Sequence, residues 1–259
     1  MRLRRSRPRA PVEETPPRSF ADTATSDGSL SWQAMRQYFP DRRLDRFLMP
    51  VPEHGIVYVK NPKAACSTIL LWLDRLHTQD YDHEFSDIHQ QNRIPTVRDV
   101  GRPAVVRMLS GGAYRFSFVR HPLHRFESVY WDKMVYDLKW RKFVPAALGL
   151  DLEPDTVVSF EQFLSVVEQQ DPVSGMDPHW RPQHVNLMHP LVSYDHVGRL
   201  ESFAADLERI REEAGLPRVP VEVRNTSRRP KHDSVFDGRP DLVRRVERLY
   251  ATDFELYGY

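Results

Sequence analysis

Residues 57–68, VYVKNPKAACST, constrain the fold of this chain more than any other stretch. An apolar run of β-type residues, Ile56–Lys60, stops at Asn61-Pro62. Lys63, two alanines, Cys66 and the adjacent hydroxyls of Ser67 and Thr68 follow before an apolar helical pattern opens at Ile69. A strand that passes through a tight turn into a helix is an α/β corner, and such corners bind anions. The first amides of a helix have no intrahelical acceptor, and the macrodipole adds partial positive charge there. Lys63 brings a full charge to the same point. This is not the common ATP-binding loop G-x-x-x-x-G-K-[ST], because no glycine occurs between Gly55 and Gly101. Ala64 and Ala65 keep side-chain bulk low instead, and Ser67 and Thr68 can donate hydroxyl hydrogen bonds to anionic oxygens. The plainer alternative is an ordinary corner with a solvated lysine.

A second segment repeats the pattern. Tyr114–Val119 alternates aromatic and polar residues as a strand does, and Arg120-His121-Pro122 follows, with Pro122 suited to the first helical position. Leu123, Phe126, Tyr130 and Met134 then recur at helical spacing, which predicts one buried face. Arg120 therefore ends a strand, and Ser128 lies about two turns into the next helix. A guanidinium fork and a hydroxyl converging from such a strand and helix suit a phosphate monoester. Against this stands a surface arginine with an unrelated helix serine.

PKAACST followed by FSFVRHPLHRFESVYWDK resembles the paired nucleotide-binding motifs of sulfotransferases that use 3′-phosphoadenosine 5′-phosphosulfate. The similarity is to the carbohydrate branch, which includes the chondroitin, HNK-1 and heparan sulfate 2-O-sulfotransferases. DPHWRPQ around His179-Trp180, YDHVGRLESFAADL at 194–207 and the ending LYATDFELYGY resemble further segments of that branch, so the likeness runs over residues 55–259. The resemblance implies a three-layer α/β/α fold, P-loop-like, with a mainly parallel sheet. It also implies that Lys63, Ala64, Ala65, Cys66, Ser67 and Thr68 cradle the 5′-phosphosulfate while Arg120 and Ser128 hold the 3′-phosphate. Lys63 would neutralise the bridging oxygen as its bond to sulfur breaks, and no metal is needed if lysine supplies that charge.

A sugar hydroxyl is a poor nucleophile at neutral pH, so a base within hydrogen-bond reach is expected, and histidine is the usual choice. His89, between the two motifs, sits where relatives carry a candidate catalytic histidine and is the first choice, with His83 and His179 behind it. Any one of them reads equally well as a structural histidine. His77, His83 and His89 lack the i, i+4 pairing of H-E-x-x-H and do not suggest a metal site. The run Arg224–Lys231 matches a region from which sulfotransferases close a loop over the nucleotide. Arg228 and Lys231, with Arg229 beside them, are thus candidates for the donor's phosphate or an anionic acceptor, or else a solvated charged loop. Asn225 and Ser227 resemble a recurring NxS of the branch.

Composition excludes more than it proposes. With 37 basic and 36 acidic residues, the net charge of +1 gives no general case for nucleic-acid binding, so anion specificity must be local. The single cysteine, Cys66, excludes an intrachain disulfide and a cysteine-rich zinc site; beside an anion-binding turn it is either a reactive thiol or a small packed residue. No run approaches the ~18 apolar residues of a membrane span. Animal members of the branch are Golgi enzymes with an N-terminal membrane anchor and lumenal disulfides; this sequence departs from them on both counts, so the expectation is a soluble, bacterial-type cytoplasmic version. Residues 1–30 read as a disordered tail rich in Arg, Pro, Ser and Thr, and residues 31–259 as one domain. Six arginines in the first 18 residues offer a peripheral contact with anionic membrane, though a solvated leader explains them more simply.

The remaining elements are expected as follows. Ile69–Leu76 is the helix after the first strand, and Trp140–Thr156 a loop-like insertion. Ser159 and Gln162 form a capping box, and Leu191–Val197 is a later strand. Ser202 caps a helix that Gly215 ends, and Pro240 starts the last one. Trp140 and Trp180 are candidates to line a sugar site for a carbohydrate or glycolipid acceptor, or else to fill the core. The competing functions are a P-loop kinase or NTPase, disfavoured by the missing glycines, and a noncatalytic glycan- or nucleotide-binding protein of the same fold.

Overall fold

The computed structural model describes residues 30–40, 44–137, 140, 146–147, 156–223 and 234–259. Its centre is a four-stranded sheet in the order β1 (Leu48–Val51), β2 (Ile56–Val59), β3 (Tyr114–Val119), β4 (His196–Arg199). β1 returns antiparallel to β2 through the turn at Pro52–Gly55, whereas β2, β3 and β4 run parallel. The mainly parallel sheet expected from the sequence is therefore present.

Parallel strands need long crossovers, and helices supply them. Between β2 and β3 come α2 (Cys66–Thr78), after α1 (Trp32–Gln37) at the start, then α3 (Ile88–Gln91), α4 (Val97–Val100) and α5 (Arg102–Arg107). Between β3 and β4 lie α6 (Pro122–Val129), a π-helical continuation at Tyr130–Tyr136, α7 (Phe160–Val167) and α8 (Gln183–Asn186). After β4 come α9 (Phe203–Glu213), α10 (Pro240–Leu249) and α11 (Ala251–Tyr257).

Alternation along the strands divides the core into layers. Ile56, Tyr58, Phe116 and Phe118 point to one face and pack against Ile69, Trp72 and Leu73 of α2 and Leu207 and Ile210 of α9. Val57, Val59 and Val119 point to the other, toward Met35 of α1, Val97 of α4, Val105 of α5 and Val185 of α8. A third cluster gathers Phe126 of α6, Tyr130, Met134, Phe163 and Leu164 of α7, and Leu242 and Val246 of α10. Three layers with a side cluster match the expected α/β/α arrangement.

Several expectations are corrected. The helix after β2 starts at Cys66, three residues before the apolar pattern, because Ile69 N–H already reaches the Ala65 carbonyl at 3.1 Å. The last strand is His196–Arg199, not Leu191–Val197; Leu191 and Val192 are apolar because they pack against the second cluster from a turn. Ser202 stands at the N-cap of α9 without capping it, since its hydroxyl donates to Asp206 Oδ2 at 2.5 Å. The helix from Pro240 breaks at Tyr250 into α10 and α11. Leu30, the end of the expected tail, packs against the second cluster; residues 1–29 and nearly all of the 140–156 insertion lie outside the described residues. The capping box forms as expected, with Gln162 N–H donating to Ser159 Oγ at 3.1 Å and Gln162 Oε1 accepting from Ser159 N–H at 2.8 Å. Among the described residues no helix is long and apolar enough to cross a membrane.

Candidate active site

The carboxyl ends of β2 and β3 are neighbours in the sheet, and each runs into a turn that opens a helix. In open α/β sheets the ligand crevice lies at that edge. The turn after β2 holds Lys63 and Ala65 in the left-handed region, at φ 69° and 61°, so that the chain folds back sharply into α2. Cys66, Ser67 and Thr68 are the first helical residues, and their amides precede the first four-residue helical bond. Ala64 is fully buried beneath the turn, Ala65 and Cys66 are half-buried, and the Ser67 and Thr68 side chains are buried. Lys63 Nζ donates to Asp132 Oδ2 at 3.1 Å; burial pulls the lysine pKa down and Asp132 offsets part of that pull. Burial raises the Cys66 thiol, but His89 and the charge of Lys60 bring it down to about 7, which favours the reactive reading of this cysteine.

Arg120 follows β3 directly, and its backbone is clamped by the buried Gln183, whose Oε1 accepts from Arg120 N–H at 3.0 Å while Nε2 donates to the Arg120 carbonyl at 2.8 Å. Ser128 is buried two turns along α6. The same Gln183 Oε1 accepts from Asn61 Nδ2 at 2.9 Å, so one amide joins the turn after β2 to the turn after β3. Asp253 of α11 completes the brace by accepting from the Gln183 and His184 amides at 2.7 and 2.9 Å.

Arg125 of α6 is fully buried, and its guanidinium donates to three carbonyls: Pro62 at 3.0 Å, Arg181 at 2.9 Å and Pro178 at 3.0 Å. The residue before Lys63 and the residue before His179 are thus held on one side chain. Asn186 Nδ2 adds a second strap, to Pro178 O at 2.9 Å and Asn61 Oδ1 at 3.1 Å.

Two helix-opening corners at adjacent parallel strands, the first glycine-free and carrying Lys63, are the arrangement that the resemblance of the two motifs implies. The profile of the sulfotransferase family matches residues 46–259. The chain belongs to the sulfotransferase family. It is 25% identical over 228 residues to human carbohydrate sulfotransferase 9, covering 80% of this chain and 50% of that protein. Carbohydrate sulfotransferase 12 of Xenopus laevis is 25% identical, with 85% and 61% covered, and carbohydrate sulfotransferase 14 of Mus musculus is 26% identical, with 84% and 61% covered. The chain thus spans about half to three fifths of the length of these relatives. No solved structure gives a significant match.

Within this family member the histidines separate. His89, on α3, lies against the turn after β2, with its Nε2 2.9 Å from Ser67 Oγ. His83 is exposed beside Phe85, with ring centroids 4.6 Å apart. His179 lies beyond Arg125, its Nδ1 2.6 Å from Asp177 Oδ1 and its ring 5.9 Å from that of Trp140. Trp140 is half-buried, but Trp180 is 1% exposed and donates Nε1–H to Gln170 Oε1 at 2.9 Å, so Trp180 is a core residue and not a sugar platform. Arg228 and Lys231, with Asn225, Ser227 and Arg229, lie outside the described residues. Among the described residues no group of three His, Cys, Asp or Glu side chains could hold a metal ion.

Sequence reasoning missed Asp132, Lys133, Arg125 and Gln183. Asp132 had a readable signal, since it stands four residues beyond Ser128 on the helix that follows the second motif. Lys133 Nζ also reaches Asp132 Oδ2 at 3.4 Å, placing two ammonium groups on one carboxylate; burial raises Asp132, but the two lysines hold its pKa below the ordinary value. Arg125 and Gln183 carried no signal, because a buried polar side chain looks like a surface one until the fold closes around it.

Proposed function

We propose that this chain transfers the sulfuryl group of 3′-phosphoadenosine 5′-phosphosulfate to a hydroxyl of a carbohydrate or glycolipid. The observation that carries this reading is the pair of corners at the ends of β2 and β3, fixed to each other through Gln183 and Asn61. Neighbouring strands lie about 4.8 Å apart, a separation that one nucleotide with phosphates at its 5′ and 3′ positions can bridge. The residues of the first corner fit a phosphosulfate. Backbone amides and the Ser67 and Thr68 hydroxyls suit its oxygens, and Lys63 suits the bridging oxygen that gains charge as the bond to sulfur breaks. Arg120 and Ser128 suit the 3′-phosphate. Lys63 supplies the positive charge that phosphoryl-transfer enzymes take from magnesium, so the reading requires no metal. The chain's similarity to carbohydrate sulfotransferases supports a carbohydrate acceptor.

Incubation with ³⁵S-labelled donor and a panel of glycans tests the reading. Lys63→Ala is expected to reduce transfer by about 10²-fold or more while the circular-dichroism spectrum stays that of the wild type. Undiminished transfer would refute the role of Lys63. Arg120→Ala is expected to weaken binding of 3′-phosphoadenosine 5′-phosphate by about 10- to 100-fold, the loss of a charge-assisted hydrogen-bond pair, and unchanged affinity would argue against a 3′-phosphate site there.

A further inference from the structure

Three observations converge on His179. Its backbone is tied to the lysine turn, because Arg125 grips the carbonyls of Pro62 and Pro178, each at 3.0 Å, and Lys63 and His179 are the residues that follow them. The side chains complete a continuous path. Lys63 Nζ is 3.1 Å from Asp132, which is 3.4 Å from Lys133 Nζ; that ammonium stands 5.6 Å above the Trp140 ring, and the Trp140 ring is 5.9 Å from His179. Finally, the imidazole is oriented by a third group: Asp177 Oδ1 is 2.6 Å from Nδ1 and accepts the His179 backbone amide at 3.0 Å. An Nδ1–H committed to a carboxylate leaves the lone pair on Nε2, the arrangement by which a base is held in its working tautomer.

We propose that the Asp177–His179 pair, and not His89, takes the proton of the acceptor hydroxyl, with the acceptor sugar lying against Trp140. The proposal rests on the sulfuryl-transfer reading and adds the acceptor side to it. In the step, the Nε2 lone pair receives the hydroxyl proton and the sugar oxygen forms its bond to sulfur. The bond from sulfur to the bridging oxygen breaks with its electron pair moving to the 5′-phosphate, beside Lys63, and the imidazolium later releases its proton to solvent. The groups facing His179 are Asp177 on its own segment, Lys63 from the turn after β2 and Lys133 from the π-helical stretch. Burial lowers the imidazole pKa first, Asp177 raises it and the two lysines lower it further, so the net shift is below the ordinary value and favours the neutral ring that can accept a proton. His89 is placed differently, with its Nε2 on Ser67 of the donor turn, where it orients a hydroxyl for the phosphosulfate.

The experiment is ³⁵S transfer to a panel that includes unsulfated chondroitin and neutral oligosaccharides, with binding of 3′-phosphoadenosine 5′-phosphate measured in parallel. His179→Gln should lower kcat by about 10²-fold or more, remove the acid limb of the pH profile of kcat/KM, and leave nucleotide affinity within about twofold. Asp177→Asn should lower kcat and move the acid limb to lower pH, because the carboxylate that stabilises the imidazolium is gone. His89→Asn should raise the donor KM and keep the acid limb. A His179→Gln variant that transfers at the wild-type rate with the limb intact overturns the assignment, as does loss of the limb in His89→Asn. A wild-type chain that binds the nucleotide and labels no glycan overturns the transfer reading together with it, whereas an active wild type with an indifferent His179→Gln overturns the base alone.

Discussion

Lys63 and Ala65 place side chains in a region of backbone space where a Cβ meets the following carbonyl, at a cost of roughly 1–2 kcal/mol each. Strain of this kind persists where surrounding contacts over-determine it, and here Arg125 on the Pro62 carbonyl and Asp132 on Lys63 Nζ do so. At position 63 the strain has a use under the proposed transfer, since it places the Lys63 ammonium at the turn. Ala65 has no such duty beyond packing its methyl at the edge of the first core cluster. Ala65→Gly is therefore expected to stabilise the fold by about 0.5–1 kcal/mol, after the greater chain entropy of glycine is subtracted. The check is a higher urea midpoint at unchanged m-value; a lower midpoint would mean that the methyl contact outweighs the backbone relief. The sequence made the charge and hydroxyls of this turn legible but not its backbone. Only glycine announces a positive φ, and this turn has none.

At the scale of elements, the parts written in local chemistry were readable and the parts set by close approach were not. The alternation of Tyr114–Val119 and the reciprocal bonds of Ser159 with Gln162 depend on residues a few positions apart. β4 does not. Its Gly198 weakens a strand pattern in the sequence, yet the strand needs it, because an added Cβ would lie 2.6 Å from Cε1 of Phe118 on β3. The break at Tyr250 has the same origin, since its hydroxyl donates to the Trp180 carbonyl across the third cluster. Phe118 has no room to retreat, being 0% exposed and packed on Phe203 with ring centroids 5.1 Å apart. Gly198→Ala is expected to cost about 1–3 kcal/mol, the usual penalty for overpacking a filled core. Thermal or urea unfolding reads the loss; a variant as stable as the wild type would show that β4 can move away from β3.

For the whole molecule, a net charge of +1 conceals a specific use of carboxylates as struts between segments distant in the chain. Asp253 holds the amides of Gln183 and His184, Glu201 accepts from His121 N–H at 2.8 Å, and Asp195 grips the start of β3. None of these was visible in the sequence, because each joins residues about 70 to 80 positions apart that look like ordinary surface polars. Asp195 is the clearest case. Its Oδ2 accepts from Arg115 N–H at 2.7 Å and from Nε at 2.9 Å, its Oδ1 accepts from Nη2 at 2.9 Å, and its own N–H donates to the Arg115 carbonyl at 2.9 Å. The Arg115 side chain, followed by its backbone amide, holds the Asp195 pKa below the ordinary carboxylate value, although partial burial works against them. A folded-state pKa below the unfolded value of about 3.9 means that this contribution is complete above that pH and disappears as pH falls through the folded value. Asp195→Asn should accordingly be less stable than the wild type at pH 7 and lose less stability on acidification between about pH 5 and pH 2. Urea unfolding at a series of pH values compares the two slopes. Parallel slopes would show that the carboxylate is equally acidic in the folded and unfolded chain, and that the bond to Arg115 contributes nothing to holding β4 against β3.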